Sequence, residues 1–540
     1  MPSRGYNALM RPRYLLPVCF LFVAAIFSVA ASQAQQSFDV LIVNGRVMDG
    51  SGNPWMRLDV GIRNGQVAAV GRLRGASAGT LIDAADRVVA PGFIDVHSHA
   101  AEGLTRAGLR QGQPLLAQGV TTIVANPDGG GPVDLVAQRA ELESGGIGPN
   151  VALLIGHGRV RTTVIGGANR APTPDELDRM RGLVRRAMEA GAFGLSSGLF
   201  YTPGSYAKTE EVIELTKVAA DFGGLYTSHI RDEADYNIGV IAAVQEVIRI
   251  ADEAGTIGIV SHAKALGPDN WGLAHAITHR IESARARGVQ VFTDQYPYEA
   301  SSTSLRAALL PEGVPVPTAE QLNDPGASNA DQRAVLERAE RVATENLRRR
   351  GGAAAIQIAH YRPDRSLEGQ TLEQIAAARK RPPVRTALEL IARQSPSIVS
   401  FNMSEDDIAE LMRQPYTMTS SDGGLVAIGE GKPHPRNYGA FARKLSRYVR
   451  ERGTITLEHA IRSMTSLPAA VFGMKDRGVL REGAAGDVVI FDPAKVLDRA
   501  TYTDPHQLAA GMSYVLINGE VVIADGKFTD AMPGKVLRRR

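Results

Sequence analysis

Between residues 91 and 474 the sequence alternates short apolar runs with amphipathic helical stretches, and several of the runs end in a histidine or an acid. The first is Phe93-Ile94-Asp95-Val96-His97-Ser98-His99. In an extended chain the period of two puts His97 and His99 on one side, where two imidazoles can converge on one metal ion. Further runs are Val120–Ala125, Val151–His157, Phe193–Gly198, Leu225–His229, Ile257–His262, Val289–Asp294 and Thr417–Asp422. Helical signals lie between them. Thr173-Pro174-Asp175-Glu176 is an N-cap, a first-position proline and a capping-box acid, and Leu177, Met180, Val184 and Met188 continue as a stripe. A helix of about thirteen residues is expected from Thr209 to the Gly223-Gly224 stop, and another from about Ile238 to Ala254. This alternation predicts a parallel (β/α)8 barrel. The run at Ile398–Phe401 is one strand too many, so it is taken as accessory and the Asp422 strand as the eighth. Residues from about 310 to 390 are charged and helical, and they read as a lid inserted over the barrel mouth. The basic run Arg348-Arg349-Arg350 within them reads as a solvated helix end.

The two ends of the chain share a different grammar. Asn44-Gly45, Asn64-Gly65 and Asn518-Gly519 each sit between apolar strand-like runs, the signature of tight hairpins. Neither end has enough strands for a stable sheet pair, so residues 35–90 and 475–540 are expected to combine in one small β-sandwich beside a barrel over 91–474.

Residues 1–34 carry Arg4, Arg11 and Arg13 before an apolar run, Tyr14 to Ala31, and end in Ser32-Gln33-Ala34. This is the pattern of a secretory signal cut after Ala34, and it predicts a secreted, periplasmic protein. The apolar run is near the minimum for an uncleaved anchor, but Pro17 and the small residues at its end favour cleavage. No later segment suits membrane insertion. The formal charge of +3 belongs to those three arginines, which leaves about zero and gives no basis for nucleic-acid binding. The only cysteine, Cys19, is in the leader, so the mature chain has no disulfide and no thiolate ligand.

In a barrel, residues at the C-terminal ends of strands meet at one mouth. That brings His97, His99, His229, His262 and Asp422 together as a candidate metal site. The motifs around them resemble the amidohydrolase superfamily, and within it the N-acyl-D-amino-acid deacylases (D-aminoacylases). The resemblance covers nearly all of the mature chain. It rests on Ala90–His99, Gly119–Thr122, residues 194–201 (Gly-Leu-Ser-Ser-Gly-Leu-Phe-Tyr), Tyr226–Glu233, Ser261–Lys264, Tyr296-Pro297-Tyr298, Ser421-Asp422-Gly423, His434-Pro435-Arg436 and Thr465–Ala469. It implies one or two zinc ions, with His229 and His262 at the tighter site and His97 and His99 at a second. It implies Asp422 as the general base. It also implies Arg436 and Lys264 as partners of a substrate carboxylate, with Tyr296, Ser302 and Tyr201 near it. The substrate would be an N-acyl-D-amino acid, cleaved to a carboxylate and a D-amino acid. The chemistry is coherent: an amide needs a polarised carbonyl, a water of lowered pKa, a proton shuttle and a cation for the free carboxylate.

Three departures leave alternatives open. The family's cysteine ligand aligns with Asp128 in Asn126-Pro127-Asp128-Gly129, which is either an oxygen ligand or only a turn residue. The fourth strand offers Ser196 and Ser197 where a carbamylated lysine would need a lysine, and Ala100 and Ala101 follow the first histidine pair where many deacylases have acids. A dipeptidase or a cyclic amidase would use the same site. A metal-binding protein without catalysis is the alternative of another class, and Asp422 argues against it, because a purely binding site needs no base beside an open metal position.

Overall fold

The computed structural model describes residues 37–311, 313–323 and 330–539; the expected leader lies outside them. Phe93–Asp95, Val120–Ala125 and Asn150–Leu153 pair in parallel and in order. Ile155–Gly156, Gly194–Gly198, Leu225–His229, Gly258–Val260, Val291–Gln295 and Thr417–Thr419 form a second parallel series. The third strand joins the two series by changing partner at Leu154. The circle closes just beyond the eighth strand. There Gly423 and Gly424 pair with Ser98 and His99, and the Asp422 N–H donates to the His97 carbonyl at 2.9 Å. The result is a (β/α)8 barrel. Its strands are apolar runs because helices cover the outer face and side chains fill the inner one; Val120–Ala125, for example, is buried at every residue.

The helices follow their capping signals. Pro174–Glu189 opens with a complete capping box between Thr173 and Glu176, and Met180, Val184 and Met188 lie buried along its inner face. Thr209–Asp221 ends before Gly223, and the next helix is Val240–Ala254. At the closed end of the barrel Phe93 stacks on Phe441 and meets Phe491 edge-on, both at 6.1 Å between ring centres. One fully buried ring thus ties a barrel strand, a late helix and a strand from the C-terminal region. Burying it stabilises the junction by about 1.5–3 kcal/mol.

The chain ends build a nine-stranded sheet. Val88–Pro91 pairs antiparallel with Val488–Phe491, which joins the N-terminal strands to the C-terminal ones. Residues of both ends, among them Ile42, Val60, Ile62, Val89, Val488 and Leu516, share one apolar cluster, and this is the β-sandwich. Asn64-Gly65 and Asn518-Gly519 make the expected turns, with positive φ at both residues. Asn44-Gly45 does not. The strand Ser37–Val47 runs straight through it with a bulge, because Arg46 and Val47 go on pairing with Arg57 and Met56. A Cβ at Gly45 would lie 2.4 Å from Val89 Cγ2, so the glycine serves a close approach. The last residues also depart from the expected sandwich. Beyond Phe528 the chain returns to the barrel, where the Leu537 N–H meets the Val151 carbonyl and the Arg539 N–H meets that of Gly191.

The Ile398 run is accessory, as the sequence suggested. Ser397–Ser400 pairs antiparallel with both Ser301–Ser304 and Ile356–His360. This small sheet packs with Ala330–Arg349 and Pro383–Gln394 around an apolar cluster of its own. The inserted unit therefore spans about residues 301–400, more than the expected 310–390. Among the described residues no helix is long and apolar enough to cross a membrane.

Candidate metal centre

The strand ends deliver their side chains to one point. His97 Nε2 lies 3.4 Å from Asp128 Oδ1 and 3.6 Å from Asp422 Oδ1. His99 Nε2 lies 3.4 Å from Asp128 Oδ2 and 3.2 Å from Asp422 Oδ1. His262 Nε2 is 3.7 Å from Asp128 Oδ1 and 2.9 Å from His229 Nδ1, which is itself 4.0 Å from Asp128 Oδ1. Asp128 thus faces all four imidazoles, one oxygen toward three of them and the other toward His99. One donor atom each from His97, Asp128, His262 and Asp422 falls within a mutual 4.8 Å, and so does one each from His229, Glu233 and His262.

Local structure explains the convergence. Asp128, His262 and Asp422 all have positive φ, at 55°, 35° and 48°. Non-glycine residues hold that conformation only where their surroundings enforce it, and such residues cluster at working sites. The Asp128 turn is pinned by Ser196, whose hydroxyl donates to the Asn126 carbonyl at 2.7 Å and accepts from the Gly129 N–H at 3.2 Å. A Cβ at Gly129 would stand 2.9 Å from the Gly158 nitrogen, so only glycine lets the turn settle there. The fourth-strand serine, noted in the sequence for what it is not, therefore positions Asp128. Behind Asp422, the Asp95 carboxylate takes both the N–H and the hydroxyl of Ser421. Burial raises Asp95 to about 6 against those hydrogen bonds. Asp294 holds the His262 backbone N–H at 2.9 Å.

The donor set suits a divalent cation such as zinc. Both ring nitrogens of His97, Nε2 of His229 and Oδ1 of Asp128 are buried without a hydrogen bond, which is costly for polar atoms that have no other partner. Burial opposes charge on His99 and His262, yet the nearby carboxylates prevail and raise them to about 9 and about 10. Burial lowers His229 to about 4. Asp128 and Asp422 stay well below the usual carboxylate range despite their burial, through the histidines and, for Asp422, Arg436. Two ionised carboxylates among imidazoles form a nest for positive charge that a metal ion can fill with neutral ligands.

Glu233, the last residue of the Tyr226–Glu233 motif, belongs to the site as well. Its Oε1 lies 3.1 Å from His262 Nδ1 and accepts from Lys264 Nζ at 2.5 Å, and its Oε2 lies 3.8 Å from His229 Nε2. A carboxylate behind a ligating histidine fixes the ring and its tautomer. The one sequence signal was an acid four residues past a strand-end histidine. Lys264 also donates to the His262 carbonyl at 2.7 Å, so two of its three N–H groups are engaged by the protein.

The centre opens into a cavity of about 290 Å³. Arg436 Nη1 pairs with Asp422 Oδ2 at 2.7 Å, and its guanidinium lies 4.7 Å over the Tyr296 ring. The Tyr201 ring packs 4.6 Å from His229, and its hydroxyl lies 3.3 Å from Thr303 Oγ1. Ser302 lines the cavity with its proton given to the Ile398 carbonyl at 2.9 Å. The inserted unit contributes Ser301, Ser302, Thr303 and Arg350 to the wall.

Residues 80–523 match the model of the amidohydrolase family. An N-acyl-D-glutamate deacylase of Alcaligenes xylosoxydans xylosoxydans is 36% identical over 525 residues, 94% of this chain and 97% of its own. A D-aminoacylase of the same organism is 34% identical over 529 residues, 93% of this chain and 98% of its own. The crystal structure of N-acyl-D-glutamate deacylase from Bordetella bronchiseptica, complexed with zinc and a phosphonate inhibitor, is 35% identical and superposes with a TM-score of 0.77, covering 93% of this chain and 100% of that one. Matched in sequence and architecture over almost its whole described length, the chain belongs to the amidohydrolase family, on its N-acyl-D-amino-acid deacylase branch.

Proposed function

We propose that the protein is a secreted zinc-dependent hydrolase that splits N-acyl-D-amino acids into a carboxylic acid and a D-amino acid. The observation that carries this reading is the position of Asp422. One of its oxygens faces His97 and His99, at 3.6 and 3.2 Å, while the other holds Arg436 at 2.7 Å. A base thus stands between a histidine cluster and a cation shaped for a carboxylate. The relatives named for deacylation of D-amino acids support the substrate class.

His97, His99, Asp128, His229 and His262 would hold zinc, as one ion or two. Zinc supplies there a Lewis acid for the amide carbonyl and a lowered pKa for the attacking water. Asp422 takes the water's proton and delivers it to the departing nitrogen, which would otherwise leave as an unstable anion. Arg436 offers two parallel N–H groups to the substrate carboxylate, which competes with Asp422 for the same fork. Tyr296 keeps the guanidinium plane in place from below. Tyr201 covers His229, and Ser302 borders the bound substrate with acceptor lone pairs. Lys264, anchored to Glu233 and the His262 carbonyl, adds positive charge near the carboxylate.

The test is release of free amine from N-acetyl-D-amino acids, their L-forms, dipeptides and cyclic amides by the zinc-loaded protein. D-selective turnover that is lost on chelation and restored by zinc is expected, and Asp422→Asn should lower kcat by roughly 10²–10⁴-fold. Turnover confined to dipeptides or cyclic amides would overturn the substrate class, and full activity of Asp422→Asn would overturn the mechanism. Secretion rests on the leader sequence alone. Cell fractionation tests it, with the shortened chain expected in the periplasm and a cytoplasmic chain of full length refuting it.

A further inference from the structure

Arg350 directly follows the long helix Ala330–Arg349 of the inserted unit and reaches the wall of the cavity, where it is 2% exposed. Its Nε donates to the Ala308 carbonyl at 3.3 Å and its backbone N–H to that of Asn346 at 3.2 Å, so its stem is fixed. Its Nη1 is buried with no hydrogen bond, and among the described residues no carboxylate pairs with it. The neighbouring acids are committed elsewhere. Asp235 pairs with Arg349, Glu233 with Lys264, and Asp232 takes the backbone N–H groups of Ala234, Asn237 and Gly239. Facing Arg350 is Tyr236, its ring 5.8 Å from the guanidinium and its hydroxyl also buried without a partner. Tyr236 lines the same cavity, and the Phe200 ring, 5.9 Å from Tyr236 and 5.8 Å from His229, separates it from the histidine cluster.

A buried guanidinium N–H with no acceptor is unfavourable, and a buried hydroxyl without a partner adds to the cost. Both are satisfied by one ligand, an anionic group with two acceptor oxygens. The place differs from that of Arg436, which is already engaged by Asp422 and stands over Tyr296. We propose that Arg350 and Tyr236 form a second carboxylate-binding position in the cavity, so that the preferred substrates are dianions. One carboxylate goes to Arg436, and the other, carried on the amino-acid side chain or on the acyl group, goes to Arg350 and Tyr236. The inference rests on the deacylase reading and deepens it.

The experiment compares kcat/KM for N-acetyl-D-glutamate, N-succinyl-D-methionine and N-acetyl-D-methionine. At least one dianion is expected to exceed the neutral-side-chain acetyl substrate tenfold or more. A preference for the first puts the second carboxylate on the side chain, and a preference for the second puts it on the acyl group. Arg350→Met should reduce that discrimination ratio at least tenfold, and Tyr236→Phe should reduce it several-fold while removing only one oxygen. A helix-terminal role for Arg350 would instead lower the melting temperature and slow all three substrates alike. That result overturns the proposal, and so does an unchanged ratio in both variants. Binding of glutarate against butyrate, read by calorimetry on the zinc-loaded wild type and on both variants, tests the position without turnover. If no N-acyl-D-amino acid is hydrolysed, the deacylase reading falls. A glutarate preference that disappears in Arg350→Met still supports the second anion position in that event, and its absence in the wild type refutes it.

Discussion

Lys444 lies in the interior beside the eighth barrel strand, 2% exposed, and among the described residues no acid pairs with it. Its ammonium donates to Thr419 Oγ1 at 2.7 Å and Ser463 Oγ at 2.8 Å. Two hydroxyls replace only part of the lost hydration, and burial brings the lysine down from 10.5 to about 7. The unfolded chain keeps the ordinary value. Above 10.5 neither state holds the extra proton, and the lysine costs no stability. As the pH falls from there toward 7, the unfolded chain binds a proton that the folded chain does not, and stability drops by ~1.4 kcal/mol per unit. Below about 7 both states are protonated and the loss levels off. Lys444→Met removes the titration and keeps most of the volume. Thr419 and Ser463 lie 3.4 Å apart, and Ser463 still donates to the Ala460 carbonyl, so the hydroxyls are not stranded. The variant should therefore gain on the wild type by about 3 kcal/mol more at pH 7 than at pH 10. Urea unfolding of both proteins at the two pH values measures the difference. An advantage that does not change with pH would show that the ammonium keeps its water and would refute the reasoning.

Other perturbations test other levels of the structure. Glu233→Gln keeps the shape behind His262 and removes the charge that fixes it, so zinc affinity should fall roughly 10–100-fold in a chelator competition, and an unchanged affinity would detach Glu233 from the centre. Phe93→Ala deletes the ring shared with Phe441 and Phe491 and should cost about 3–5 kcal/mol in denaturant unfolding. A loss under 1 kcal/mol would mean that the junction of barrel and sandwich does not depend on it. Thr173→Ala removes a side chain that accepts from the Glu176 N–H and should cost about 1 kcal/mol, whereas Thr173→Ser should recover most of it.

The barrel was legible because parallel strands buried on both faces read as apolar runs, and because each run stops where chemistry begins. His229 and His262 announce the fifth and sixth strand ends by position alone. The insertion boundary was not legible. Its first strand is Ser-Ser-Thr-Ser, which has no apolar face and declares itself only by pairing with Ser397–Ser400. Asn44-Gly45 looked like a turn because the dipeptide carries no information about register; what keeps the strand straight is the partner at Met56 and Arg57. Glu233, Tyr236 and Arg350 carry no site role in the sequence for a common reason. They come from irregular loop or from the end of an inserted helix, and only tertiary packing brings them to the cavity. The basic run at Arg348–Arg350 read as a solvated helix end. That holds for Arg348, which pairs with Asp269 and Glu345 at the surface, but not for Arg350, which turns inward.

Asp128 is where sequence and structure inform each other most. The resemblance equates it with a cysteine, and the spacing alone could not decide between ligand and turn. The geometry lets one conformation serve both roles. The turn residue is held at positive φ by Ser196 and by the space that Gly129 leaves open, and that same conformation aims the carboxylate into the histidine cluster. A thiolate offers one donor atom. A carboxylate keeps the single negative charge and offers two, and here Oδ1 faces His97, His229 and His262 while Oδ2 faces His99. A harder oxygen donor binds a borderline metal less tightly than sulfur does, but it spans a wider gap. The carboxylate therefore stands between the His229 and His262 pair and the His97 and His99 pair, within 4.0 Å of every imidazole of the cluster.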